Sequence, residues 1–231
     1  MKMVTQGLTP ELILPYLVKL MVIFLVSPLH EFAHAFAAHK LGDDTAKNAG
    51  RLTIDPLTHI DPFGALFLLI FGYGWAKPVP VNPANFKHKN LDMLIVAVAG
   101  PLMNLLAAFL AMIAFQMCGG FESYSTRWMF MVIPNGTSES YFFYMLSEFI
   151  NINVILFLFN MIPVPPLDGS RVLNYFLPPR AAIWYLKYSR IFYGIMLFLM
   201  MIGVLAIPMY FAKMYIEYGM AWLVQFLPVV I

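Results

Sequence analysis

His30, Glu31 and His34 stand within "VSPLHEFAHAFAAHK", residues 26–40, among Val, Leu, Phe and Ala. On a helix, residues i and i+4 share a face, so His30 and His34 can turn two imidazoles toward one point. Glu31 lies about 100° round the helix from His30, near enough to hold a water there. Two neutral imidazoles and an adjacent carboxylate form the His-Glu-x-x-His arrangement of zinc hydrolases: the histidines hold the metal and the acid serves as general base. The competing reading is two histidines bonded to neighbouring helices, with Glu31 as their partner. Three ionisable groups at membrane depth are expensive and mark function, which favours the metal.

Zinc in a hydrolase takes three protein ligands and leaves a position for water, so a third ligand is needed. His39, His59, Asp43, Asp44, Asp55, Asp61 and Asp168 are the candidates. His39 is about 140° round the helix from His34 and faces away. Asp43 and Asp44 read as solvated loop charges, and His59 as a loop histidine. Asp55 and Asp61 each precede a proline, which suits turn initiation. Asp168 follows "NMIPVPPL", where Pro163, Pro165 and Pro166 forbid a regular helix. Broken backbone at membrane depth is tolerated where protein buries it or where it lines a wet cavity. An Asp-Gly pair can equally be a turn or a helix cap, but beside a two-histidine site the ligand reading of Asp168 is preferred. "AGPLMN", residues 99–104, offers small residues for close packing and the amide of Asn104. A packing motif and a direct role for Asn104 both stay open.

The elements that must position these groups are apolar helices. Of 231 residues, 61% are hydrophobic and only 11% charged, far from the roughly 25% charge of a soluble domain. Mean hydropathy is +0.76. The single cysteine, Cys118, excludes a disulfide framework or a thiolate cluster, and a net charge of +2 does not suggest nucleic acid. No cleavable signal peptide is recognisable. The expected fold is an all-α polytopic membrane protein, one domain over 1–231. It comprises about five spans near 11–40, 91–118, 141–162, 191–210 and 211–231. Residues 63–75 are too short to cross and read as a re-entrant or strand-like segment between the first two spans.

Charge orients this arrangement. Lys40, Lys47, Arg51, Lys77, Lys87 and Lys89 lie between the first two spans; Arg127 alone occupies the next loop; Arg171, Arg180, Lys187 and Arg190 follow the third span. That alternation places both basic loops in the cytoplasm and the N-terminus outside, provided 63–75 does not cross. A multi-pass protein of the cell membrane is expected, its site toward the cytoplasmic side.

The chain resembles the site-2 protease family of intramembrane zinc metalloproteases. The resemblance rests on His30-Glu31-Phe32-Ala33-His34, "GRLTIDPLTHIDPFG", "GWAKPVPVNP", Gly100-Pro101-x-x-Asn104, and Asn160-x-x-Pro163 leading to Leu167-Asp168-Gly169. It implies one zinc ion per chain on His30, His34 and Asp168, with Glu31 as catalytic base. It also implies that Asn160 and Asn104 help to position substrate. The expected activity is hydrolysis of peptide bonds within or near transmembrane segments of other membrane proteins, the reaction of regulated intramembrane proteolysis. The chain reads as a minimal form, without the PDZ or nucleotide-sensing domain of longer members. A substrate helix must unwind to expose its carbonyls, and strand-like pairing with residues 73–86 is one expected means. The rival reading is a metal-ion transporter, which would spread ligands along a path through the membrane. A second rival, a glutamate third ligand, would fall on Glu148.

Overall fold

The computed structural model describes residues 10–72, 74–123, 132 and 136–230. The chain is all-helical, and no strand occurs among the described residues. Helix α1 (Pro10–Met21) runs through a π-turn at Val22–Val26 into α2 (Ser27–Lys40). Pro28 explains the π-turn. It has no N–H for the Phe24 carbonyl and its ring crowds that carbonyl, so the preceding turn widens and the Ser27 N–H bonds back to the Val22 carbonyl.

The basic stretch 41–88 contains two single turns, α3 (Thr45–Asn48) and α4 (Pro56–His59), then α5 (Pro62–Phe71). The Asp-Pro pairs act as helix starts. Asp55 accepts from the Leu57 N–H and Asp61 from the Gly64 N–H, with Pro56 and Pro62 at first helical positions where no donor is needed. Ten residues rise about 15 Å, so α5 cannot cross a hydrocarbon core of about 30 Å. It ends at Gly72 in the left-handed region, φ 78°, and Lys19 reaches across from α1 to donate to its Leu69 carbonyl at 2.6 Å.

Helices α6 (Lys89–Met117) and α8 (Ser138–Asn160) are the central pair, with the single turn α7 (Gly120–Ser123) between them in sequence. Their packing with α12 (Ala206–Val224) makes the core, where Ala108, Met112, Phe115, Ile150, Val154 and Met220 are buried. On α6, Leu102, Leu106 and Leu110 line the exposed face at helical spacing while Ala97, Ala108 and Ala111 turn inward. In lipid, small residues on the inner face allow close approach and large ones face the chains.

Three helical stretches are long and apolar enough to cross a membrane: Leu12–Lys40, Lys89–Met117 and Ser138–Asn160. The expected fourth and fifth spans differ from the reading above. α11 (Ser189–Met201) and α12 meet at an 81° bend, where Gly203 has φ 76°, so together they can supply one broken span. Between them and α8 lie α9 (Asp168–Phe176) and α10 (Pro179–Lys187). The loop residue Arg127 lies outside the described residues.

Candidate active site

The His pair comes from α2, and geometry follows from its register. His30 and His34 stack edge-on, ring centroids 4.6 Å apart, with their Nε2 atoms separated by 3.0 Å. The Nδ1–H of His34 donates to the Val96 carbonyl of α6 at 2.7 Å. A carbonyl can only accept, so this bond leaves Nε2 with its lone pair free, the tautomer a metal requires. His30 has a buried Nδ1 with no hydrogen-bond partner.

Asp168 reaches the pair from the far end of the sequence. The three prolines stop α8 at Asn160, the chain turns, and α9 restarts at Asp168. Gly169 lets that turn close, because a Cβ there would sit 2.4 Å from the Met161 carbonyl oxygen. Asp168 Oδ2 lies 3.2 Å from His30 Nε2 and 3.2 Å from His34 Nε2. Among the described residues this is the one group of three or more such side chains able to share an ion.

The donor set fits zinc. Tetrahedral bonds of about 2.0–2.1 Å would separate ligand atoms by about 3.3 Å, close to the separations seen. Helix α6 forms the back wall: a Cβ on Gly100 would be 2.3 Å from His34 Nε2 and 2.7 Å from His30 Cε1. His34 stands six residues before the end of α2, so the site lies about 9 Å below that helix end.

Glu31 is half-buried beside the pair, and its Oε2 accepts from the Val79 N–H at 2.9 Å. Sequence reasoning missed this contact. The alternation Pro78, Pro80, Pro83 was its only signal, since a residue before proline is pushed toward extended backbone. The Val96 carbonyl had no signal at all, being a main-chain group.

The other candidates go elsewhere. His39 pairs with Asp44 at the surface, and His59 is buried with its Nε2–H donating to the Thr53 carbonyl at 2.8 Å. Asp43 corrects the sequence reading: it is 0% exposed rather than a solvated charge. Burial pushes its carboxyl pKa up, but hydrogen bonds from Thr45, Asn82 and Asn85 outweigh this and hold it below the usual carboxylate value. Asn104 is one turn beyond Gly100, buried, with both amide atoms lacking a partner. Asn160 is half-buried at the end of α8. Glu148 sits about 18 Å back along α8 from Asn160.

Comparison with known proteins places the chain in a family. Residues 17–203 match Peptidase family M50. The chain is 43% identical over 170 residues to the protein named "Putative zinc metalloprotease YwhC" of Bacillus subtilis, covering 74% of this chain and 73% of that one. It is 29% identical over 156 residues to "Putative zinc metalloprotease Rip2" of Mycobacterium tuberculosis, covering 65% of this chain and 54% of the relative. A Rip2 of Mycolicibacterium smegmatis is 28% identical over 159 residues. No solved structure matches the chain.

Proposed function

The chain belongs to peptidase family M50, the site-2 protease family, and is a membrane metallopeptidase; on that premise we propose that it is an intramembrane zinc endopeptidase. In this reading it cuts peptide bonds within or near transmembrane segments of other membrane proteins. The observation that carries the reading is the convergence of His30, His34 and Asp168 within hydrogen-bond distance of one another, with a carboxylate next to them in sequence.

His30, His34 and Asp168 would hold the zinc. When bound, the ion supplies Lewis acidity and brings the pKa of water down toward about 7. Glu31 would accept the proton of the attacking water and return it to the leaving amide nitrogen, which balances the hydrolysis with no net proton change. The Val96 carbonyl fixes the His34 ring throughout. Asn104, buried one turn beyond Gly100 with an unpaired amide, and Asn160, at the chain break, would position the substrate backbone. In this reading water would enter from the basic loops, the site would lie toward the cytoplasmic side of the cell membrane, and the enzyme would act in regulated intramembrane proteolysis.

The test compares wild type, Glu31→Gln and Asp168→Ala on single-span substrates in detergent or liposomes, with zinc measured in parallel. Glu31→Gln should keep its zinc and lose cleavage by about 100-fold or more. Asp168→Ala should lose most of both. A Glu31→Gln protein that still cuts at the wild-type rate overturns the role given to that carboxylate. Metal-dependent flux through liposomes without cleavage would favour a transporter instead.

A further inference from the structure

The non-helical stretch 74–82 crosses the site and is poor in donors. Within Lys77–Asn82, Pro78 and Pro80 carry no N–H, leaving four backbone donors. Three of the four end on named acceptors: Lys77 N–H on the His59 carbonyl at 2.9 Å, Val79 N–H on Glu31 at 2.9 Å, and Asn82 N–H on Asp43 at 2.7 Å. The outer two anchors are built from buried polar side chains. Arg51, 7% exposed, donates its Nη2 to the Lys77 carbonyl, and lies 3.5 Å from His59 Nδ1. Asp43 also accepts from the Thr45 N–H at 3.1 Å, from the Thr45 hydroxyl, and from Asn85 Nδ2 at 2.6 Å.

A buried guanidinium and a buried carboxylate are costly unless they are used, and neither touches the metal ligands. Both are spent on the two ends of a six-residue stretch whose middle amide meets Glu31. Short spans between proline-stiffened anchors leave that amide little freedom. A general base works only when held within a fraction of an ångström of its target.

We propose that Asp43 and Arg51 are positioning residues: they latch the Lys77–Asn82 stretch at both ends so that the Val79 amide fixes the Glu31 carboxylate for its work as base. The proposal rests on the base role given to Glu31 above. Asp43 and Arg51 act through the backbone of another segment, so removing them should lower turnover without removing zinc. Substrate affinity should be unaffected, because the contacts involved face Glu31.

The experiment uses the full chain with bound zinc and a single-span substrate, measuring kcat, KM, zinc per chain and melting temperature. Val79→Pro deletes the hydrogen-bond donor at a site whose proline neighbours already favour extended backbone, though it also changes the side chain and fixes φ; Val79→Ala keeps the donor and trims the side chain. Val79→Pro should lower kcat about tenfold or more with KM and zinc unchanged, and Val79→Ala, which keeps the amide, should lose several-fold less than Val79→Pro. Asp43→Asn and Arg51→Met should each lower kcat about three- to tenfold in the same pattern, and Arg51→Lys should recover part of the loss. If Val79→Pro fails to fold, Asp43→Asn carries the same criterion.

Wild-type kcat in these variants overturns the proposal. A raised KM at constant kcat also overturns it and assigns the stretch to substrate binding. A higher kcat overturns it and makes the stretch an occluding strap. Glu31→Gln that retains activity refutes the base role itself, an outcome separate from all of these.

Discussion

At Gly100 a single missing methyl group makes room for the two imidazoles. A Cβ would come within 2.3 Å of His34 Nε2, a separation that real side chains do not reach, so Gly100→Ala must push the rings or helix α6 aside. Displaced partners of metal ligands typically lower affinity 10- to 100-fold. Gly100→Ala should therefore bind zinc about tenfold more weakly in a chelator competition, with cleavage falling in parallel; unchanged affinity would show that α6 yields without disturbing the site. Asp43 is a second residue whose surroundings set its behaviour. Its pKa is depressed, so its contribution to stability is present above the unfolded value near 3.9 and is lost as pH falls through the lower folded value. Asp43→Asn should remove that acid-side dependence and lower the melting temperature at pH 7, readable by thermal melts between pH 3 and 7.

Short elements, rather than the long spans, bring the backbone to Glu31. Helix α5 and the stretch after it cross at Gly64 and Gly74. A Cβ on Gly64 would sit 2.1 Å from the Trp75 carbonyl oxygen, and one on Gly74 2.3 Å from the Gly64 oxygen. Only glycine fits where two backbones touch. Gly64→Ala must separate the two segments and should cost about 1–3 kcal/mol, seen as a lower melting temperature, together with a fall in kcat because Lys77–Asn82 follows directly. The central helices respond differently. Ala108 is 0% exposed in the core shared by α6, α8 and α12. Ala108→Leu overfills that contact and should destabilise by about 1–3 kcal/mol, while zinc remains bound at temperatures below the melt.

Across the whole molecule, charge and geometry agree on one end. α2 finishes at Lys40, α6 begins at Lys89, and α8 ends at Asn160 before Asp168 returns to the histidines. All three breaks belong to the end bearing the basic loops. In a Cys118→Ser background, cysteines introduced at Lys47 and Lys187 should react with an impermeant thiol reagent only from the cytoplasmic side, and one at Glu139 only from the outside. Labelling of Lys47→Cys from outside would invert the orientation. Within α12, beyond its bend from α11, Lys213 Nζ pairs with the buried Glu217 at 3.0 Å, so this helix carries its two charges as one ion pair.

The sequence by itself determined the all-helical membrane class and the three long spans, and it named the three side chains that the structure brings together as a candidate metal site. Apolar length, i and i+4 spacing, and the proline break before Asp168 are local properties that any fold of this chain must obey. Tertiary structure decided what local pattern cannot encode. It joined Asp168 to histidines more than 130 positions away, put a Val96 carbonyl behind His34, and laid the Val79 amide on Glu31. It also buried Asp43, which reads as a surface charge because two of its hydrogen-bond donors, Asn82 and Asn85, lie about forty residues on. Main-chain groups have no residue signature, and burial is a property of neighbours that only folding supplies.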